Sequence, residues 1–78
     1  MDKKQILANM QEVFRDVLEN EQIVLANEIS SSDIDEWDSL AHIQLIVAIE
    51  KHFSIKFTAK EMLSWSNIGD MIDCISTK

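Results

Sequence analysis

The 78-residue chain contains no proline and a single glycine, Gly69. Glycine and proline are the main punctuation of tight turns, so a chain this poor in both is confined largely to helices joined by Ser, Asn and Asp loops. The apolar spacing agrees. Ile6, Leu7, Met10, Val13, Phe14, Val17 and Leu18 fall at i, i+1, i+4, i+7, i+8, i+11 and i+12, one continuous helical stripe that exits near Asn20 and Glu21. From about Asn27 to Trp37 the chain carries Ser30, Ser31, Ser32, Asp33, Asp35 and Glu36, which favour turns and caps over helix interiors. A second helix is expected from Asp38-Ser39 to about Phe53, with Asp38 as its N-cap. Thr58 and Glu61 form a capping box that opens a third helix, with Phe57 and Met62 placed as a hydrophobic staple. Ser64-Trp65-Ser66-Asn67 limits that helix to one or two turns. A last helix from about Ile68 to Ile75, capped by Asn67 or Ser66, would bury Ile68, Met71, Ile72 and Ile75. The expectation is an all-α fold, a four-helix bundle with a short third helix, over residues 1–78 as a single domain.

At 9.0 kDa this lies near the lower limit for independent folding, but 46% apolar residues suffice for a core. Seven basic residues against fourteen acidic ones give a net charge of −7. That balance argues against nucleic acid as a partner, since phosphate binding requires Lys and Arg to release counterions. It suits a protein whose partners carry basic patches. The lone cysteine, Cys74, excludes an internal disulfide and a multi-cysteine zinc site, and His42 and His52 alone do not build a metal centre. No metal is expected. No apolar run approaches the length of a membrane span, and Met1-Asp2-Lys3-Lys4-Gln5 lacks the apolar stretch of a signal peptide. The expected setting is the cytoplasm.

The second helix departs from an ordinary surface helix. Leu40, Ile43, Leu45, Ile46, Val47, Ile49 and Phe53 point almost all the way round it, leaving Gln44 and Lys51 as a narrow polar strip. Ser39, Ile43, Val47 and Glu50 form a ridge at i, i+4, i+8 and i+11. Such a helix is either the buried centre of the bundle or a docking surface for other proteins. A domain this small can hardly bury every side of a helix, so a mixture of the two is expected.

The tripeptide Asp38-Ser39-Leu40 is the candidate for chemistry. A serine at the first position of a helix, after an acidic loop, exposes its hydroxyl where free N–H groups and the helix dipole suit a phosphate ester. An Asp-Ser pair also simply starts helices, so the tripeptide alone decides nothing. From Glu36 to Phe53 the chain reads EWDSLAHIQLIVAIEKHF. Asp-Ser-Leu, an apolar helix, Ala-Ile-Glu and a closing Phe resemble the acyl carrier protein family, including the related peptidyl carriers. The resemblance continues through an Ile-X-Phe segment at Ile55, a short helix opened by Thr58, and Asn-Ile-Gly-Asp-Met-Ile-Asp, covering essentially the whole chain. It implies a carrier, not a catalyst. A phosphopantetheinyl transferase would move 4′-phosphopantetheine from coenzyme A onto Ser39. The thiol of that arm would hold acyl or aminoacyl groups as thioesters for a loading ligase and for acyl-transfer or synthase enzymes. Asp38 would aid the modification step. Leu40 would anchor the start of the helix and contact partners, joined on the partner face by Ala41, Ile43, Gln44, Val47 and Glu50.

The chain departs from the fatty-acid type of that family, which usually places acids where Ala41, Gln44, Lys51 and His52 stand here. Trp37 replaces a small residue before the Asp. These differences imply a specialised carrier, of a secondary-metabolite or surface-polysaccharide pathway, with altered partner choice. A monomer is expected. A second hypothesis is a small acidic helical adaptor that docks through the second helix and carries no prosthetic group. Asp38, Ser39 and His42 do not read as a catalytic triad, since no Gly-rich nucleophile elbow accompanies them. His42 is expected to face partners, His52 to meet carbonyls at the helix end, Cys74 to pack in the last helix, and Trp37 and Trp65 to anchor loops.

Overall fold

A computed structural model describes residues 2–78. Among the described residues four α-helices follow one another, α1 (Lys3–Val17), α2 (Ser39–Phe53), α3 (Ala59–Leu63) and α4 (Ile68–Ser76), and a 3-10 turn (Ser31–Asp33) lies in the loop before α2. The molecule measures 28 × 24 × 23 Å. The extensive interfaces are α1 with α2 and α1 with α4. The bundle with a short third helix expected from the sequence is the fold observed.

Each helix begins on a side chain that satisfies an otherwise orphaned amide. Asp2 accepts from Gln5 N at 2.8 Å, Asp38 from Ala41 N at 2.8 Å and Asn67 from Asp70 N at 3.0 Å. At α3 the full capping box forms, with Glu61 N donating to Thr58 Oγ1 at 3.1 Å and Thr58 N to Glu61 Oε1 at 2.8 Å. The core gathers Ile6, Met10, Val13 and Phe14 from α1, Leu45, Ile46 and Ile49 from α2, and Ile68, Met71, Ile72 and Ile75 from α4. Ile23, Leu25 and Trp37 complete it from the loop, a contribution that helical periodicity does not reveal. The loop is pinned by Arg15 Nε donating to the Ile23 carbonyl at 2.7 Å and by Leu25 N donating to Gln11 Oε1 at 3.0 Å.

With one glycine available, the left-handed turns fall to other residues. Glu19 (φ 54°) and Ser54 (φ 56°) adopt that region just beyond α1 and α2. Gly69 serves another need. Its amide and that of Ile68 donate to the carbonyls of Asn27 and Ile29, both at 2.8 Å, drawing the loop onto the start of α4. A Cβ at Gly69 would lie 3.2 Å from both Asn27 Cβ and the Asn27 carbonyl oxygen, too close for comfort.

Candidate functional site

Ser39 is the first residue of α2 and is exposed, one residue beyond the N-cap. The Asp38 carboxylate serves the third amide of the helix, Ala41 N, and the Asp38 carbonyl accepts from His42 N at 2.8 Å. The amides of Ser39 and Leu40 are left without an acceptor among the described residues, as is the Ser39 hydroxyl. An open hydroxyl beside two free amides at the positive end of a 15-residue helix fits a phosphodiester covalently attached there. The exposed residues Asp35 and Glu36 precede the site. Glu36 Oε2 accepts from Asn20 Nδ2 at 2.8 Å, so part of the acidic loop is tied to the exit of α1.

Beneath Ser39 the helix start is held by Trp37, which is only 8% exposed. Its ring meets Phe14 edge-on at 4.9 Å and stacks on His42 at 5.9 Å. Its indole Nε1–H donates to His42 Nδ1 at 3.0 Å. Trp37 is therefore an anchor, as expected. His42 is not: the sequence reading turns it to partners, whereas the structure half-buries it against Trp37. At 100° per residue His42 lies about 60° from Ser39 on the side away from Ile43 and Val47, where Trp37 packs against it. Asp38 and His42 are thus each bonded elsewhere, and no relay runs from either to Ser39. A cavity of about 120 Å³ opens beside this pair, lined by Trp37, His42, Met62, Trp65 and Met71 with Ser31, Ser66 and Asn67.

The structure divides the remaining candidates on α2. Leu40 (66% exposed), Ile43 (62%) and Val47 (46%) are open to solvent, and Gln44 is exposed beside them. Ala41 is buried at 8% and packs inward, so it does not belong to the partner face assigned from the sequence. Glu50 is half-buried, and its Oε2 accepts the Phe57 amide at 2.8 Å, fastening the segment before α3. That bond withdraws Glu50 from the partner-facing role expected of it. His52 also departs from expectation. Its Nε2 pairs with Asn9 Oδ1 of α1 at 3.1 Å, and its ring meets Phe53 edge-on at 5.0 Å, instead of contacting terminal carbonyls.

A second polar cluster joins α3 to the C-terminus. Lys78 Nζ donates to both carboxylate oxygens of Glu61 at 3.0 Å and lies 5.7 Å from the Phe57 ring centroid. The backbone hydrogen bond from Thr58, then the bond from Lys78, hold the Glu61 carboxyl at about 2. Cys74 donates to Glu61 Oε2 at 3.4 Å, and burial first, then that bond, push its thiol up. A thiol so protonated is a poor nucleophile, in keeping with a packing role. Trp65 meets Phe57 edge-on at 4.8 Å, the anchor expected of it. Among the described residues no His, Cys, Asp and Glu side chains gather in a group that could hold a metal ion, and no helix is long and apolar enough to cross a membrane.

The family described as "Phosphopantetheine attachment site" matches residues 9–75. The solution NMR structure of a holo acyl carrier protein from Geobacter metallireducens superimposes with a TM-score of 0.88. It is 43% identical, and the match covers 92% of this chain and 83% of that one. No curated protein matches. The fold and these two matches define a phosphopantetheine-bearing carrier domain, itself without catalytic activity. The chain belongs to the acyl carrier protein family, and its prosthetic group is a covalently attached 4′-phosphopantetheine.

Proposed function

We propose that Ser39 is the residue that carries the arm, and that the chain, as one domain over residues 1–78, presents acyl or aminoacyl intermediates to a succession of enzymes. The observation that carries this reading is the Ser39 hydroxyl at the first position of α2, which, like the two amides beside it, has no partner among the described residues. When attached, 4′-phosphopantetheine supplies a flexible thiol on which acyl groups travel as thioesters. The protein's own part is to hold and present. Asp38 fixes the first turn of α2 through Ala41 N, which keeps Ser39 projecting outward, and its exposed charge is available to the transferase that delivers the arm. Leu40, Ile43, Gln44 and Val47 supply the surface on which that transferase, a loading ligase and acyl-transfer or synthase enzymes dock. Replacement of the usual acids by Gln44 and Lys51 supports a specialised pathway over general fatty-acid synthesis. The setting proposed is cytoplasmic, and the protein a monomer.

Incubation with coenzyme A and a broad-range phosphopantetheinyl transferase tests the assignment by intact mass. The wild type gains one phosphopantetheinyl group, and Ser39→Ala gains none while keeping its helical circular dichroism. Uptake by the alanine variant would move the attachment site elsewhere. A wild type that never gains the group, yet still binds a basic protein through α2, would favour the adaptor without a prosthetic group.

A further inference from the structure

The exposed side of α2 has a polarity that runs along the helix. At 100° per residue, Ser39, Leu40, Ile43, Gln44, Val47 and Lys51 fall within an arc of roughly 140°. Leu40, Ile43 and Val47 form its apolar centre, 66%, 62% and 46% exposed. At the Ser39 end stand the exposed acids Asp35, Glu36 and Asp38. Glu50 would carry the acidity to the far end, but its carboxylate is half-buried and accepts the Phe57 amide. Glu50 keeps its charge but holds it half-buried toward the segment before α3, so the charge fully exposed on this arc at that end is Lys51, in no ion pair among the described residues, where the ion pairs are Lys3–Asp73 and Lys78–Glu61. Ser39 and Lys51 are about 18 Å apart along the helix.

We propose that the partner enzymes docking on α2 present an apolar groove with basic side chains beside Ser39 and an acidic side chain about 18 Å away, opposite Lys51. A uniformly basic groove would complement the Ser39 end but set like charge against Lys51. The charge pattern thus fixes which way a partner lies along the helix as well as where it binds. This inference rests on α2 being the partner face of a carrier modified at Ser39.

Three synthetic amphipathic helical peptides serve as probes. They share one apolar stripe and differ in flanking charge: all Lys, all Glu, or Lys at one end and Glu at the other. Intact mass after transferase treatment is recorded on the same preparation. The expected result is that the mixed-charge peptide binds the wild type about two- to fivefold more tightly than the all-Lys peptide at low salt, the range that an exposed ion pair supplies. The difference vanishes at 1 M salt, where the screening length is about 3 Å. Lys51→Glu reverses the ranking, and Val47→Asp, at a solvent-exposed position, abolishes binding of all three. An all-Lys peptide that binds the wild type as well as the mixed one would overturn the proposal. So would a ranking indifferent to Lys51→Glu or to salt, binding that survives Val47→Asp, or no binding at all. If any of these occurs in a protein that takes up phosphopantetheine on Ser39, the docking polarity alone fails. If no uptake occurs, the carrier reading fails with it.

Discussion

The indole of Trp37 has a single hydrogen to donate and donates it to His42 Nδ1. His42→Ala leaves the N–H of a buried tryptophan without a partner and removes the ring stacked on it. Destabilisation of about 1–3 kcal/mol is expected in urea denaturation, the cost of an orphaned buried donor. Asp38 separates structure from charge. Asp38→Asn retains the cap and should unfold like the wild type, whereas Asp38→Ala loses about 1 kcal/mol. If the carboxylate charge assists modification, the asparagine variant is modified more slowly by the transferase at unchanged stability. Equal rates would confine Asp38 to capping. Glu61 gives the acid limb of stability a definite sign. Its carboxyl falls from an ordinary 4.5 to about 2 in the folded protein, so its contribution is fully present above about 4.5 and is lost as pH drops toward 2. Glu61→Gln should flatten that part of a stability-versus-pH curve. The helix start at Asp38 and Ser39 was legible because a cap and the first residue of a helix are neighbours in the chain, whereas the choice of Ser39 as the site came from the resemblance over Glu36–Phe53 and beyond. The roles of His42, His52 and Glu50 were not, because each is set by a partner (Trp37, Asn9 or Phe57) that only the packing of loop and helices brings within reach.

Among the elements, α2 shows how a helix apolar on most sides is divided between core and surface. Ile49 is fully buried, and Ile49→Ala is expected to cost about 2–5 kcal/mol. Val47, two residues earlier, is 46% exposed, and Val47→Ala should change stability by no more than about 0.5 kcal/mol. Paired denaturation curves check this division, and a large loss at Val47 would mean that the face is structural. The end of α2 stores some strain. Ser54 takes a left-handed conformation that glycine adopts freely, so Ser54→Gly should stabilise the protein by up to about 1 kcal/mol. The helix periods, the caps at Asp38 and Thr58, the cap of α4 to within Ser66 or Asn67, and the short length of α3 could all be read in sequence, since each depends on residues within a turn or two of one another. The 3-10 turn and the burial of Ile23 and Leu25 could not, because an irregular segment has no period to betray its inward side.

On the scale of the whole molecule, the net charge of −7 matters less than where the charges stand. Three exposed acids flank Ser39, Glu50 is taken up in holding the segment before α3, and Lys51 remains on the exposed face of α2. The single glycine, a sign of helical architecture in the sequence, proves in the structure to be the place where the long loop meets α4. The Ser39 hydroxyl stands exposed at the head of α2, in a first turn that Asp38 caps. The most direct test of the account is the mass of the protein isolated from its own host, followed by fragmentation to locate any added group. The account predicts a phosphopantetheinyl group on Ser39, with an acyl or aminoacyl group on its thiol that hydroxylamine releases. A native protein carrying the group on another residue, or functioning in its host with an unmodified Ser39, would contradict it.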